Sequence, residues 1–222
     1  SGTLLLALAH QIGEENCTIY SQDISQKSNE FLRLNLILNN LVHSLSNVIH
    51  GETLVNPAHF NIEENRLAQF DYIVSNPPFK MDFHETRDTL SGEKYRDRFF
   101  AGVPKIPNKD KDKMAIYLLF IQHILFSLKE TGKAAIVVPT GFITAQTGIE
   151  VTIRKELIKK KILSGLISMP SNIFATTGTN VSVIFLEKSN TKGKVLLMDA
   201  TSLGEDVKEG KKLHESMAGT EI

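Results

Sequence analysis

Apolar residues recur along the chain at two spacings, and the switches between them mark the predicted elements. Leu4, Leu5, Leu6 and Leu8 sit among small residues in 1–12 and predict a helix that begins at or just before the first residue. A strand is expected over 17–22, ending in Asp23. Phe31, Leu34, Ile37 and Leu38 fall at helical spacing within 26–38, and Asn39-Asn40 closes that helix. Residues 46–50 read as a short strand closed by Gly51, and 57–68 as polar and irregular. The compact apolar run 70–74 reads as a buried strand, stopped by Asn76, Pro77 and Pro78. A strongly apolar helix is expected over 114–128, ended by Gly132, then a strand over 134–138, ended by Pro139. Residues 147–161 predict an amphipathic helix, with Lys159, Lys160 and Lys161 where cations favour a helix C-terminus. Strands follow at 162–168, 181–186 and 194–198, and the tail from Ser202 is charged and weakly patterned.

This alternation of helix and strand predicts an α/β fold with right-handed crossovers and a mostly parallel sheet. The connection 169–180 leaves no room for a helix of typical length. Strands 162–168 and 181–186 are therefore expected to be antiparallel neighbours, since a parallel crossover needs a dozen or more residues. Residues 80–113 hold Gly92, Gly102, Pro104 and Pro107 among many charges and lack a periodic apolar pattern. A stretch of that length is expected to be a mobile, functional loop.

Composition narrows the class. Of 222 residues 41% are apolar, and 25 basic residues balance 25 acidic ones. That is enough apolar mass for a core without net repulsion, which excludes a disordered chain. Cys17 stands alone, so a disulfide scaffold is excluded, and a lone thiol reads as core filler. No apolar run approaches the roughly 18 residues of a membrane span, and no charged-then-apolar leader is present. The expectation is a soluble, cytoplasmic protein with no membrane partner. The seven His show no pair at metal-ligand spacing, so no metal site is expected, and Asp82, His84 and Glu85 read as solvated loop residues. Zero net charge means that a nucleic-acid partner would need a local basic patch or a second chain.

The sharpest local feature is Phe70-Asp71-Tyr72-Ile73-Val74-Ser75-Asn76-Pro77-Pro78-Phe79. In an open parallel sheet, ligands bind outside the carboxyl ends of the strands. Both prolines fix their backbone angles and donate no hydrogen bond. A rigid carbonyl beside the Asn76 side-chain carbonyl gives two converging acceptors, which suit the two donors of an exocyclic NH2 group. Drawing on both hydrogens keeps the nitrogen lone pair localised for attack on an electrophile. Phe79 adds a flat face for a planar ring. The plainer alternative is a turn that ends a strand and opens a loop.

The segment resembles the catalytic motif of S-adenosylmethionine-dependent amino methyltransferases, especially DNA adenine-N6 methyltransferases. The rest of the chain is similar in order. Ser1-Gly2-Thr3-Leu4-Leu5 resembles the end of an Asp-Pro-x-x-Gly-Ser-Gly cofactor loop and its helix. Tyr20-Ser21-Gln22-Asp23-Ile24 resembles the second strand, and Gly51-Glu52-Thr53-Leu54 the Gly-Asp-Thr-Leu turn. Ala134-Ala135-Ile136-Val137-Val138-Pro139, then Ile167-Ser168-Met169-Pro170 with Phe174, then Val181-Ser182-Val183-Ile184-Phe185-Leu186-Glu187-Lys188 follow the same pattern. Arg154 falls in a helix where the family often shows Ile-Arg. The whole set, to about Met198, is similar to the modification subunit of type I restriction-modification systems.

The resemblance implies a Rossmann-like class I methyltransferase with an antiparallel final strand. It implies a catalytic domain over 1–200 and, over 201–222, a charged tail or the start of a C-terminal extension. The implied cofactor is S-adenosylmethionine, held by Ser1, Gly2, Asp23, Ile24, Glu52, Leu54 and Asn76. Asp23 would accept the ribose hydroxyls, with a helix N-cap as its alternative role. Glu52 would meet the adenine amino group, although the family usually has Asp there and a surface turn acid is the alternative. Asn76, Pro77, Pro78 and Phe79 form the implied catalytic set. Phe79 and Phe174 would stack on the target base, and a core Phe is the alternative for Phe174. The implied reaction is methyl transfer to N6 of an adenine flipped out of DNA. The implied partners are DNA, a specificity subunit that reads sequence, and the restriction subunit. Two features depart from the pattern. The strand and loop that precede Ser1 in the family are not in the chain, so the first strand is missing and the isolated fragment is expected to be inactive. No target-recognition domain is expected within these residues, and 80–113 is the candidate for substrate or partner contact. Competing readings are an amino methyltransferase acting on guanine N2 of RNA or on a protein glutamine, and a non-enzymatic assembly fragment.

Overall fold

The computed structural model describes residues 2–171, 173, 179–209 and 212–216. The chain divides into two compact units, Ser1–Gln69 with Asp88–Leu90, and Phe70–Arg87 with Ser91–Ile222.

In the first unit, helix α1 (Thr3–Ile12) leads to strand β1 (Ser21–Asp23), helix α2 (Gln26–Leu38) and strand β2 (Val48–His50). Strands β1 and β2 pair in parallel, with Asp23 opposite His50. A two-residue hairpin, β3 (Phe60–Asn61) with β4 (Arg66–Leu67), lies in the stretch expected to be irregular. Ser25 caps α2 by accepting from the Ser28 N–H at 3.2 Å. The unit's core is Ala9, Ile19, Leu32, Leu36, Leu41 and Val48. The predicted boundaries of α2 match, but the expected apolar stripe does not face that core. Phe31, Leu34, Ile37 and Leu38 are about half exposed or more, while Leu32 and Leu36 are buried. Apolar residues occupy several sides of this helix, so spacing alone allows more than one face.

The second unit is built on a five-stranded sheet in the order β5 (Phe70–Ser75), β6 (Leu128–Pro139), β8 (Val181–Glu187), β7 (Leu163–Ser168), β9 (Leu196–Asp199). Strands β5 and β6 are parallel, as are β7 and β9. Strand β8 runs antiparallel to both β6 and β7, as the short 169–180 connection predicts. The sheet is therefore mainly parallel with one reversed strand, and β9 follows that strand as an edge. Strand β5 is the other edge, which is why Tyr72 is half exposed where a fully buried strand was expected. Strand β6 begins earlier than predicted because Gly132 lies in an irregularity of the ladder and does not end a helix. A Cβ on Gly132 would stand 2.7 Å from the Leu128 side chain and 2.9 Å from the Phe70 carbonyl oxygen.

Alternate β6 residues Ala134, Ile136 and Val138 are buried, and Ile136 pairs with buried Ile184, Ala134 with buried Leu186. They share one core with helix α4 (Tyr117–Ser127), the short helix α5 (Thr140–Thr144) and helix α6 (Ile149–Lys159). Each of the larger side chains, Ile136, Val138, Ile184 and Leu186, contributes about 1.5–3 kcal/mol when fully buried. Helix α4 is apolar on nearly every side, so it starts at Tyr117 only after the backbone of Met114 to Ile116 has tightened into a turn.

Residues 80–113 are not featureless. They form helix α3 (His84–Leu90) and single 3-10 turns at Glu93–Tyr95 and Lys111–Lys113. Gln122 of α4 is fully buried and grips the backbone between them. Its Oε1 accepts from Ala101 N–H at 2.8 Å and its Nε2 donates to the Gly102 carbonyl at 3.1 Å. Arg87 Nε donates to the Pro104 carbonyl, and Met81 N–H to the Met114 carbonyl. Buried Arg98 lies over the Tyr95 and Phe99 rings, 4.9 and 4.6 Å from their centroids. Beyond Ser202, β10 (Glu205–Glu209) and β11 (Lys212–Ser216) pair as an antiparallel hairpin.

His123 of α4 is half-buried, and its Nδ1 is enclosed without a hydrogen-bond partner among the described residues. Burial and the Arg98 cation push its pKa from 6.5 down to about 4. Between those values the unfolded chain binds the proton and the folded one does not, so stability is complete above pH 6.5 and is lost as pH falls toward 4. His123→Asn removes this contribution. Urea midpoints measured across that window should fall less steeply with acid in the variant than in the parent chain.

Candidate active site

The candidate residues divide between the two units. In the first, Asp23 and Glu52 stand at the carboxyl ends of the parallel pair β1 and β2. Asp23 Oδ1 accepts from the Ser25 N–H at 2.8 Å, and its carbonyl accepts from Gly51 N–H and from Asn29 Nδ2 at 2.9 Å. Ser25, not Asp23, is therefore the helix cap, and Asp23 forms the turn before it. A carboxylate has acceptor capacity beyond that single bond. Ile24 beside it is 62% exposed, an apolar surface directly after the acid. Glu52 is engaged differently. Its Oε1 accepts from Leu54 N–H at 3.0 Å and its Oε2 from Val55 N–H, so both oxygens shape the turn. Leu54 is 1% exposed and belongs to the buried side chains.

Gln22 is a residue that sequence reasoning passed over, although it stands inside the quoted strand. Its Nε2 donates to the carbonyls of Glu52 at 3.2 Å and Asn56 at 2.8 Å, and its Oε1 accepts from Ala58 N–H at 2.8 Å. With His50 Nε2 at 2.9 Å from the Ile24 carbonyl, it sets the path of 52–58 beside Asp23. An amide has donors and an acceptor, so one Gln at a strand end can hold three backbone groups. Gly2 precedes α1 with φ of +73°, the left-handed region, and a Cβ there would stand 2.3 Å from Leu32 Cδ1. Glycine is thus required there by the left-handed backbone and by the close packing of Leu32. Ser1 and Phe174 lie outside the described residues.

In the second unit, Asn76-Pro77-Pro78-Phe79 leaves the carboxyl end of β5. The last register pair, Ser75 opposite Ile136, puts this exit at the same sheet edge as the end of β6. Asn76 is exposed, and its side chain makes no hydrogen bond among the described residues. Pro77 is buried and Pro78 exposed. Neither can donate to a ladder, which is why pairing ends here. Phe79 is half-buried, and its ring meets Tyr117 edge-on at 6.3 Å between centroids and 77° between planes. Arg154 of α6, flagged in the sequence only by its place in the pattern, donates to the carbonyls of Phe142 and Ala145 within and just after α5. The geometry offers an unengaged amide, a rigid carbonyl and a fixed aromatic ring on one strand exit, which together can hold a planar amino compound. No group of His, Cys, Asp and Glu among the described residues could hold a metal ion, and no helix among them is long and apolar enough to cross a membrane.

A model of the N-6 DNA methylase family matches residues 1–220. The type I restriction enzyme MpnII methylase subunit of Mycoplasma pneumoniae is 32% identical over 200 residues, covering 86% of this chain and 35% of its own length. The HindI methylase subunit of Haemophilus influenzae is 24% identical over 197 residues, covering 88% and 40%. The chain thus spans between about a third and two fifths of the length of these curated relatives. Among solved structures, a type I restriction-modification methyltransferase subunit from Streptococcus thermophilus superposes with a TM-score of 0.74 at 23% identity. That match covers 97% of this chain and 43% of the other. These likenesses give a class I methyltransferase fold, with the mainly parallel sheet and reversed strand described above.

Gln22→Ala would remove three hydrogen bonds to the backbone of 52–58, two of them exposed, at about 0.5–1.5 kcal/mol in all. Amide hydrogen exchange should accelerate in 53–58 and not in β6; unchanged protection there would show that the turn holds by other means.

Proposed function

The chain belongs to the N-6 DNA methylase family, and on that premise we propose that it carries the methyl-transfer site of the modification subunit of a restriction-modification complex. The proposed reaction moves a methyl group from S-adenosylmethionine to N6 of an adenine flipped out of DNA. The observation that carries this reading is the exposed Asn76 amide, unengaged among the described residues, at a strand exit made rigid by Pro77 and Pro78.

The residues in hand fit the cofactor at Asp23, with spare acceptor capacity for ribose hydroxyls, and at exposed Ile24, while Gly2 before α1 is a glycine because Leu32 packs against it. S-adenosylmethionine, when bound, supplies an electrophilic methyl group on a sulfonium. Glu52 fits less as a direct ligand, because both of its oxygens already hold the turn. Its proposed part is to shape 52–55 beside Asp23, and buried Leu54 anchors that turn.

Asn76 Oδ1 and the Pro77 carbonyl would accept both hydrogens of the adenine amino group. That keeps the N6 lone pair out of the ring and available to attack the methyl carbon, with the sulfonium leaving as a neutral thioether. Phe79 would stack on the extruded base and replace part of the lost base stacking. No strong base is needed before attack, because N6 becomes cationic as the bond forms and then sheds its proton. Orientation and fixed acceptors supply the catalysis. The proposed partners are DNA, a specificity subunit for sequence readout, and the restriction subunit. Segment 80–113, with Met81 and Phe100 exposed, is assigned to substrate or partner contact. Family membership does not favour RNA guanine, protein glutamine or a non-enzymatic role.

Asn76→Ala, tested in the assembled methylase, should keep S-adenosylmethionine affinity within about tenfold and lower methyl transfer to adenine at least about a hundredfold. Retained transfer would overturn the assignment. Replacing 91–106 by a short Gly-Ser linker should impair methylation more than cofactor binding; the reverse order would remove the contact role of the segment.

A further inference from the structure

Three rings stand in line inside the second unit. Phe79 meets Tyr117 at 6.3 Å and 77°, and Tyr117 meets Phe142 at 6.2 Å and 86°. Tyr117 is 5% and Phe142 1% exposed, while Phe79 is half-buried. The line is closed at its far end by Arg154. Its guanidinium lies 6.0 Å from the Phe142 ring centroid, and its Nη1 and Nη2 donate to the Phe142 and Ala145 carbonyls. These two bonds hold the short α5 turn from α6, and Thr140 N–H adds a bond to the Asn180 carbonyl at 2.9 Å. Burial and nearby Glu150 push the Tyr117 phenol up, so it remains a neutral aromatic contact.

We propose that Tyr117 and Arg154 are positioning residues for Phe79: Arg154 fixes Phe142, Phe142 fixes Tyr117, and Tyr117 sets the plane on which the target base stacks. This rests on the reading of Phe79 as the stacking face. Edge-to-face contacts of this kind are worth about 0.5–1.5 kcal/mol beyond their buried area. The Asn76 acceptors tolerate little rotation of the bound base, because a flat ring must present its amino group to both of them at once. A Phe79 ring free to swing would hold the base poorly while leaving Asn76 and the cofactor residues in place. The Arg154 bonds need two donors in a fixed fork, which a Lys cannot reproduce.

The test compares steady-state kinetics of the assembled methylase on DNA carrying its recognition site. Tyr117→Phe keeps the ring and should keep kcat/KM for DNA within about twofold. Tyr117→Leu should lower kcat/KM for DNA about tenfold, mainly through KM, with S-adenosylmethionine affinity unchanged. Arg154→Lys, which leaves the apolar core intact, should move KM in the same direction by a smaller factor. Unchanged KM for DNA in both Tyr117→Leu and Arg154→Lys would overturn the proposal. So would an equal loss of cofactor affinity, which marks a general loss of folding. Asn76→Ala run alongside separates the two levels. If that variant retains transfer, the functional reading itself has failed. If it is inactive while Tyr117→Leu matches the parent, only the positioning role has failed.

Discussion

Strand β6 is hydrogen-bonded on both sides, parallel to β5 and antiparallel to β8, and buries Ala134, Ile136 and Val138 in the core shared with α4 and α6. Side chains on a strand alternate faces, so a slip of one residue in this pairing would turn the whole buried set outward. The register is therefore specified by the core. That register also decides where β5 stops, because Ser75 opposite Ile136 is the last pair before Asn76. Apolar packing in the second unit thus sets the position of a polar amide at the sheet edge. The prolines then carry the chain away from the ladder, since neither offers an N–H.

Much of this was legible in the residues. The helix Gln26–Leu38, the strand ending at Asn76 and the reversed strand β8 follow from caps, breakers and connection length. The inner face of α2 was not legible, because Phe31, Leu32, Leu34, Leu36, Ile37 and Leu38 offer several stripes and only tertiary contacts choose among them. Segment 80–113 reads as a loop because its order comes from elsewhere. One buried amide on α4, Gln122, holds Ala101 and Gly102 through backbone groups that no local pattern encodes. Helix α5, directly after Pro139, is too short to show a period.

The two acids named from the sequence show a limit of another kind. Asp23 and Glu52 occupy equivalent strand ends, yet Asp23 closes its turn with one oxygen while Glu52 commits both. A turn and a ligand draw on the same lone pairs, so residue type cannot say which is served. The longer Glu side chain reaches back to two N–H groups that a shorter acid at Asp23 meets only once. Exposed ion pairs such as Lys129 with Asp71 at 2.8 Å add little to either unit.

Strand β8 carries a consequence for how the protein is made. Strands β6 and β7 do not touch through hydrogen bonds; β8 lies between them and supplies both ladders. A ribosome that has released residues up to 180 has delivered β5, β6 and β7, but β7 still lacks the partner that joins it to β6. The ladder between β6 and β7 is complete only when 181–187 emerge and pair with two strands already synthesised. Until then β6 and β7 present open edges of the kind that pair with foreign strands. Vectorial synthesis therefore leaves these two strands without their shared partner for the time needed to add 181–187, and β9 can pair only later, on the other side of β7.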